Sequence, residues 1–200
     1  MKKIPVLLIA FLFFNLINAQ VEIKPGLKGG LNIANLTNMD NIGGNSKSIT
    51  SFHIGGTLSF KFADFYTLQP EILYSKQGSD FSVSGTNNGQ FQIELNYLSI
   101  PVNNKFYAGD NGLNFQVAPI IDILLSHKNV NDPQAVDIAV AFAIGYDIAS
   151  GVYVSVAYKQ GITDLFGRNV NTGNGYQTTD VGDLILNKVI QLSVGYQFDL

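Results

Sequence analysis

The chain ends with KVIQLSVGYQFDL, residues 188–200, and this stretch decides the fold. Every second residue in it is large and apolar: Ile190, Leu192, Val194, Tyr196, Phe198 and Leu200. The residues between them are polar or small, and such strict period-two alternation predicts a β-strand with one apolar face. Because a long strand with a free edge recruits other chains, we expect a partner strand to cover it. Tyr196 and Phe198, followed by Leu200, suit a membrane interface, where aromatic rings lie at the headgroup level.

The same alternation recurs along the whole chain. Seven further segments alternate between apolar and polar residues: 24–36, 52–62, 68–77, 91–106, 113–126, 136–146 and 152–159. The connections between the eight predicted strands alternate between long and short: 38–48, 63–65, 78–89, 109–112, 127–134, 149–151 and 161–182. An even strand number, with both termini on the side of the short turns, is typical of bacterial outer-membrane barrels. The sequence therefore predicts an all-β fold, an eight-stranded antiparallel up-and-down transmembrane β-barrel with short periplasmic turns and long outer loops.

Alternation alone leaves open which face of the barrel points inward. A soluble periplasmic carrier of the lipocalin kind also has eight alternating strands, but its apolar face surrounds a ligand cavity. The interior of an eight-stranded barrel has room for little more than side chains. In this chain the large residues are apolar, whereas the polar face is rich in Gly, Ala, Ser and Asn. The size difference favours small polar residues inside and an apolar face toward lipid, with the soluble carrier as the alternative.

The fourth predicted strand, 91–106, contains two conflicting phases. If Ile93 and Leu95 point outward, then Leu98 points inward. The opposite phase places Leu98 on the outer face, and we favour it for the half of the strand nearer Pro101. A β-bulge would reconcile the two halves.

The first 19 residues have the pattern of a secretory signal peptide. Lys2 and Lys3 precede an apolar run over residues 4–14, and the small Ala19 stands at the expected cleavage point. The run is shorter than the roughly 20 residues that a membrane-spanning helix needs, which disfavours the alternative of a permanent anchor. We predict a signal peptide at residues 1–19 and one outer-membrane β-barrel domain at residues 20–200.

Composition and charge restrict the classes of partner. Removing Lys2 and Lys3 leaves 10 basic against 15 acidic residues, so the formal net charge changes from −3 to −5. A mildly acidic chain without a basic cluster is not expected to bind nucleic acid. Cysteine is absent, which excludes thiolate metal sites and a cysteine nucleophile. No phosphate-binding or metal-ligand motif occurs, so we predict no cofactor and no metal. The expected partners are outer-membrane lipid, the barrel assembly machinery and an envelope protein at the outer loops.

Ionisable residues also occur at positions predicted to face the barrel interior. They are Lys28, His53, Lys61, Glu71, Lys105, Asp122, Asp137 and Lys159. In a lumen too narrow for bulk water these groups must pair and form hydrogen bonds, because an isolated buried charge costs several kcal/mol. Four lysines against three acids, with His53 neutral, indicate a nearly balanced internal polar plug that holds the strands in register. A proton or ion pathway is the alternative.

The chain contains only two histidines, so few residues could provide the histidine base of an active site. Small lipid-modifying enzymes exist on eight-stranded barrels, and His127 beside Ser126 lies near the predicted outer rim. No G-x-S-x-G or H-E-x-x-H motif occurs anywhere in the chain. We predict a protein without enzymatic activity and keep an outer-membrane lipid-modifying enzyme as the second hypothesis.

Six segments, in their order and spacing, resemble the PorT-like outer-membrane β-barrel family of Bacteroidetes. They are LKGGLNIANL (27–36), LQPEILYSKQG (68–78), NYLSIPVNNKFY (96–107), DIAVAFAIGYDI (137–148), YKQGITDL (158–165) and VIQLSVGYQF (189–198). The resemblance implies an eight-stranded barrel in the outer membrane. It also implies a link to secretion or cell-surface assembly, because the founding member of the family serves the type IX secretion pathway. Ser99 stands where the family's Tyr-Leu-Glu-Ile-Pro motif has an acid, so an interior contact made by that acid is not expected here.

Overall fold

A computed structural model describes residues 21–39, 44–83, 90–148, 150–165 and 184–199. Its strands are β1 (Glu22–Leu36), β2 (Gly44–Lys47), β3 (Ile49–Ala63), β4 (Tyr66–Val83), β5 (Gln90–Tyr107), β6 (Leu113–Lys128), β7 (Val136–Asp147), β8 (Val152–Gly161) and β9 (Asn187–Gln197). The signal-peptide prediction at residues 1–19 lies outside the described residues. No helix in the described ranges is both long enough and apolar enough to cross a membrane.

The eight long strands close into an antiparallel barrel. Neighbours along the chain pair with one another, and β4 pairs with β5 to continue the sheet. The barrel is closed by β9, which pairs with β1 from Gly26 opposite Gln197 to Leu36 opposite Asn187. This confirms that the terminal strand is covered by the first strand, so both open edges are removed.

The connections divide the barrel into two ends. Two-residue to five-residue turns follow β3, β5 and β7, and they lie at the same end as both termini. We name this end the periplasmic end, because short turns and both termini share the periplasmic side in bacterial barrels. The opposite end, with the longer connections, is named the outer end.

The first outer connection differs from its prediction. Residues 38–48 are predicted to form a polar connection, but within it Gly44–Lys47 form the short strand β2. This strand pairs with Asp80–Val83 of β4, which is itself longer than its predicted counterpart. The reason is that β4 and β5 continue pairing beyond the predicted strand ends and offer β2 a backbone edge.

The large apolar side chains point away from the lumen. Leu31 is 51% exposed, Ile121 50% and Val194 54%, whereas their chain neighbours Asn32 and Asp122 are fully buried. The carrier alternative requires the reverse arrangement, because a soluble barrel encloses its apolar face around a ligand. The observed arrangement is that of a barrel surrounded by lipid.

Strand β5 keeps one phase along its whole length. Ile93, Leu95 and Tyr97 are buried with Ser99, so the odd positions point inward throughout. The phase preferred near Pro101 is confirmed, and it extends to the outer half that the sequence left open. The register shift lies instead in the pairing with β6, where Asn96 is opposite Ser126 and Tyr97 is opposite Leu124.

Aromatic pairs mark the periplasmic boundary of the lipid-facing surface. Tyr66 packs against Phe62 at 6.0 Å and against Phe106 at 5.4 Å, measured between ring centroids. Along β5, Phe106 lies ten positions after the polar Asn96 at the outer end. With about 3.3 Å per residue and a tilt of about 40°, this span is roughly 25 Å tall, as expected for the apolar band of a membrane barrel.

An apolar cluster closes the interior at the outer end. Its members are buried side chains from the strand tops and the outer connections: Leu36, Met39, Phe81, Ile93, Leu95, Tyr97, Leu165 and Ile185. The backbone N–H of Leu165 donates to the carbonyl of Ile185 at 2.8 Å, which ties the two flanks of the last connection together. We name this group the apolar cap. The sequence did not predict it, because an inward apolar cluster breaks the rule of a polar interior.

Candidate functional site

The candidate site is the polar interior between the apolar cap and the periplasmic end. Seven of the eight predicted interior residues are buried there: Lys28, His53, Glu71, Lys105, Asp122, Asp137 and Lys159. Uncharged side chains connect them into local networks, among them Asn32, Gln69, Ser75, Gln77, Asn187, Gln191 and Ser193. These uncharged residues were not among the predicted site residues, although the alternation places each of them on the inner face.

The first network lies nearer the periplasmic end and contains an ion pair. Lys28 Nζ donates to both carboxylate oxygens of Glu71, at 2.9 and 3.2 Å. Gln69 Nε2 donates to the same carboxylate at 2.7 Å, and Gln69 Oε1 accepts from Ser59 and Gln197. Because the pair joins β1 to β4 across β3, it links strands that share no backbone ladder.

The second ion pair also spans an intervening strand. Lys159 on β8 pairs with Asp122 on β6, and both side chains are at most 1% exposed. Gln77 Nε2 donates to Asp122 Oδ2 at 3.3 Å, which adds β4 to the contact. Ser99 lies directly opposite Asp122 in the β5–β6 ladder. The interior therefore contains an acid at the level of Ser99.

Both ring nitrogens of His53 form hydrogen bonds. Nδ1 lies 2.8 Å from Asn32 Oδ1, and Nε2 lies 3.0 Å from Ser193 Oγ. Asn32 also accepts from Gln191 Nε2 at 3.0 Å and donates to Ser75 Oγ at 3.1 Å. The Ser193–His53–Asn32 order has the connectivity of a nucleophile, a base and an orienting group.

All three members of this set are buried inside the barrel, with Ser193 at 8% and His53 at 1% exposure. A nucleophile needs a reachable reacting atom about 3 Å away and donors for the oxyanion. Ser193 does not line the cavity at the periplasmic mouth, the one beside Asp80 and Gln92, or the apolar one beside Phe142. The geometry therefore fits a hydrogen-bonded core histidine.

Asp137 forms a third network beneath the apolar cap. Its carboxylate accepts from Asn187 Nδ2 at 2.7 Å and from Thr163 Oγ1 at 2.5 Å. Asn187 Nδ2 also lies 3.3 Å from the hydroxyl of Tyr97, a member of the cap. Asp137 thus connects the polar interior to the flanks of the last outer connection.

Lys105 lies at the periplasmic end of the interior, where its surroundings are less complete. Its ammonium lies 3.6 Å from Asp147 Oδ1 and 4.5 Å from the centroid of the Tyr153 ring. Within the described ranges Nζ has no hydrogen-bond partner. Asp147 is held in place by Tyr107, whose hydroxyl donates to Oδ2 at 2.7 Å. The cation–π contact and the nearby carboxylate stabilise the buried ammonium.

Lys61 is not part of the interior cluster. Its side chain is 42% exposed and pairs with Asp64 in the turn after β3, at 2.9 Å. The hydrogen bond from Lys61 lowers the pKa of the Asp64 carboxyl below its ordinary value. Both residues line a cavity of about 330 Å³ at the periplasmic mouth, together with Tyr107 and Asp147. The alternation places Lys61 on the inward side of β3, but the residue lies too close to the end of the strand to be buried.

Among the described residues, the buried charges balance once Lys61 is left out. Three lysines, at positions 28, 105 and 159, are balanced by three acids, at positions 71, 122 and 137.

Glycines make room for the larger inward side chains. A Cβ at Gly195 would overlap the ring of Tyr153, and one at Gly30 would approach the His53 ring.

The predicted rim pair does not form a catalytic arrangement. Ser126 Oγ accepts from Asn96 Nδ2 at 3.0 Å, and His127 is an exposed neighbour at the outer end of β6. The part of the chain that the structure describes contains no group of three His, Asp or Glu side chains that could hold a metal ion.

The terminal-strand residues lie on the lipid side at the periplasmic boundary. Tyr196 and Phe198 are each 42% exposed, and their rings meet edge to face at 5.1 Å. Leu200 lies outside the described residues. The two aromatic rings are placed as the girdle of a membrane barrel requires.

Comparisons with known proteins agree with this geometry. A model of the outer membrane protein beta-barrel domain family matches residues 18–167. No curated protein matches the chain.

Among solved structures, the chain is similar to Ail of Yersinia pestis in complex with the heparin analogue sucrose octasulfate, with 9% identity and a TM-score of 0.47, over 88% of this chain and 99% of that one. It is similar to Neisserial surface protein A with 10% identity and a TM-score of 0.46, over 87% and 97% of the two chains. It is also similar to OprG of Pseudomonas aeruginosa with 11% identity and a TM-score of 0.46, over 90% and 98%.

The assignment rests on the family model, which covers about three quarters of the chain, and on the barrel with its apolar outer face. The chain belongs to the outer membrane protein β-barrel domain family, and it is a protein of the Gram-negative outer membrane.

Proposed function

We propose that this barrel is a structural or interaction protein that anchors its outer loops in the membrane and meets an envelope protein through them. It has no enzymatic activity in this proposal. The observation that carries it is the filled interior. Ion pairs and hydrogen-bonded amides occupy the lumen, and the apolar cap covers its outer end. A barrel of this kind offers its outer connections as the surface for recognition.

We also propose that the protein is a PorT-like barrel of Bacteroidetes with a role linked to secretion or cell-surface assembly. Support comes from the order of the six quoted segments and from their positions in the barrel. Three of them lie mainly in β1, β4 and β9, which supply Lys28, Glu71 and Ser193 to the ion pair and to the His53 network. In the same proposal the signal peptide is cleaved after Ala19, and the barrel assembly machinery recognises β9.

Site-specific photocrosslinking in intact cells tests the interaction role. A photoreactive residue at Asp132, in the outer connection between β6 and β7, should give one discrete adduct of higher mass. The matched position is Asp110 in the periplasmic turn between β5 and β6, which should not give that adduct. An adduct from Asp110 alone, or none from either position, would contradict recognition through this outer connection.

Conductance measurements test the filled interior. The purified protein in a planar bilayer should show no stepwise ion conductance, because polar side chains and the apolar cap occupy the lumen. Regular single-channel steps would instead favour the alternative of an ion pathway.

One contact keeps the lipid-modifying enzyme as a second candidate. The 3.0 Å distance between Ser193 Oγ and His53 Nε2 is that of a nucleophile and its base. A fluorophosphonate probe should leave the folded protein unlabelled under the interaction proposal. Labelling that is lost in Ser193→Ala, but retained in Ser126→Ala, would assign an active site to the interior.

A further inference from the structure

Two of the buried carboxylates lie side by side beneath the apolar cap. Asp122 on β6 is directly opposite Asp137 on β7 in the backbone ladder. Both side chains point inward, with 0% and 3% exposure. Side chains directly opposite in an antiparallel pair have Cβ atoms about 5 Å apart, and like charges at such positions destabilise the sheet. The two acids therefore need positive charge close to them.

A single lysine compensates these two acids within the described ranges. Lys159 Nζ donates to Asp122 Oδ2, whereas Asp137 forms no ion pair in this part of the chain. Lys105 completes the overall balance of three lysines and three acids, but it lies 3.6 Å from Asp147 at the periplasmic end. The balance over the whole interior therefore includes a local excess of one negative charge beneath the cap.

The hydrogen bonds of Asp137 are those of an ionised carboxylate. Asn187 Nδ2 donates to its Oδ2 at 2.7 Å, and Thr163 Oγ1 donates to its Oδ1 at 2.5 Å. The Thr163 hydroxyl accepts from the backbone N–H of Ile138 at 3.0 Å, which directs its own hydrogen toward Asp137. Because each carboxylate oxygen already accepts from a donor, the negative charge of Asp137 is stabilised as it stands.

Three unpaired oxygen atoms belong to the same group of side chains. Gln77 Oε1, Asn187 Oδ1 and Asp122 Oδ1 have no hydrogen-bond partner within the described ranges, and their side chains are at most 1% exposed. The amide nitrogens hold these residues beside the acids. Gln77 Nε2 lies 3.3 Å from Asp122 Oδ2, and Asn187 Nδ2 lies 2.7 Å from Asp137 Oδ2. All three unpaired atoms are acceptors, so they require a donor or a cation.

We propose that these side chains bind one monovalent alkali cation, with oxygen ligands from Asp122, Asp137, Gln77 and Asn187. Carboxylate and amide oxygens are the ligands of hard cations. A single positive charge neutralises the local excess, whereas a divalent ion would replace it with an excess of the opposite sign. A water molecule has only two hydrogens to donate and would not change the charge. The site lies inside the barrel and is separate from the outer-loop recognition proposed above.

Equilibrium unfolding by urea in phosphatidylcholine vesicles tests the cation. The medium contains either sodium chloride or the chloride of N-methylglucamine, an organic cation too large for the site, at equal ionic strength. Sodium at ten times its Kd should raise the ratio of folded to unfolded wild-type protein by about tenfold, because the unfolded chain has no site. Identical unfolding of the wild type in the two salts would overturn the proposal.

Removing one carboxylate should remove the need for the cation. Asp137→Asn should unfold identically in the two salts, and in N-methylglucamine it should be at least as stable as the wild type. Loss of a purely structural carboxylate would instead destabilise the barrel in both salts. The matched control is Glu71→Gln in the balanced pair with Lys28, which should be less stable in both salts and keep the sodium effect. A full sodium effect in Asp137→Asn would overturn the proposal.

Removing one oxygen ligand should weaken binding without changing the charge. Gln77→Leu should raise the sodium Kd by about tenfold, measured from the sodium concentration at which the folded fraction rises. The matched control is Gln69→Leu, which removes the buried amide beside Glu71 and should leave that concentration unchanged. Equal shifts in the two variants would overturn the site. Wild-type stability that falls with rising pH but does not respond to sodium would assign a shared proton to the two acids and would also overturn it.

Discussion

Lys159 and Asp122 form an ion pair inside the barrel that passes over the intervening strand β7, and both side chains are at most 1% exposed. The Lys28–Glu71 pair repeats this relationship across β3. Backbone ladders connect only adjacent strands, so these side-chain contacts add a second level of connection between strands two apart. Removing one partner leaves a buried charge without its counter-charge, which costs more than the pair contributes.

The first prediction concerns this pair. Asp122→Asn should lower the free energy of unfolding by about 3 to 5 kcal/mol, because Lys159 then remains charged in the lumen. The double variant Asp122→Leu with Lys159→Met should recover most of the loss. Urea-induced unfolding in lipid vesicles measures both changes. The matched control is Asp64→Asn on the exposed pair with Lys61, where no measurable change is expected.

If Asp122→Asn unfolded at the wild-type urea concentration, the pair would have no structural role. Unfolding of the double variant near the wild-type urea concentration would not contradict the prediction. An apolar replacement of both partners leaves no buried charge.

The second prediction concerns the lipid face. Leu58 lies near the middle of the β3 span between the outward Phe52 and Phe62, and Val140 occupies a similar outward position on β7. Leu58→Arg and Val140→Arg should each destabilise the barrel by about 2 to 4 kcal/mol in vesicles. Thr57→Ser, at the neighbouring inward position, should cost about 1 kcal/mol or less. Equal tolerance of all three changes would argue against lipid contact on these strands.

The third prediction concerns orientation. Because the chain contains no cysteine, a single cysteine at Asp132 or at Asp110 can be labelled without background. A membrane-impermeant maleimide should react with the Asp132 variant in intact cells, and with the Asp110 variant only after permeabilisation. The reverse pattern would invert the barrel.

Asp132 is better suited to this test than three other positions of the predicted outer loops. Gly44 begins β2, so a tag there would disrupt the pairing with β4. Asn87 and Gly173 lie outside the described residues, which leaves Asp132 as the position of choice.

The fourth prediction concerns the terminal strand. Deleting residues 189–200 removes the partner of both β1 and β8, and every backbone group left unpaired in lipid costs several kcal/mol. The truncated chain should therefore fail to insert and should aggregate or be degraded. A truncated chain that stayed soluble, monomeric and rich in strand would contradict the membrane barrel.

The fifth prediction separates recognition of the terminal strand from the general effect of the aromatic girdle. Phe198→Ala should slow insertion into vesicles that contain the assembly machinery, whereas Phe65→Ala, the same change in the turn after β3, should not. Gln197→Ala is unsuitable as a control, because Gln197 Nε2 donates to Ser59 Oγ at 2.8 Å and to Gln69. Equal slowing by both phenylalanine changes would assign the effect to the girdle alone.

Local sequence was sufficient for the eight long strands, for the closure of the barrel and for every strand face except the outer half of β5, but it did not predict β2. Alternation with period two is a property of neighbouring residues, so Leu31 and Asn32 could be assigned to opposite faces without knowledge of any other strand. The alternating lengths of the connections then determined which strand ends lie together. The pairing of β9 with β1 followed because an exposed edge cannot persist in lipid.

The contacts across the lumen required the closed barrel. Whether Lys159 meets Asp122 or Asp137 depends on register and curvature, which bring strands two apart within reach and which no local pattern encodes. The same reason explains the apolar cap, because inward Ile93 and Leu95 are stable only where Leu165 and Ile185 cover them. It also explains Lys61, whose alternation points inward but whose height in the barrel exposes it to solvent. Periodicity specifies the direction of a side chain, whereas its partners depend on how far along the barrel axis each strand is shifted.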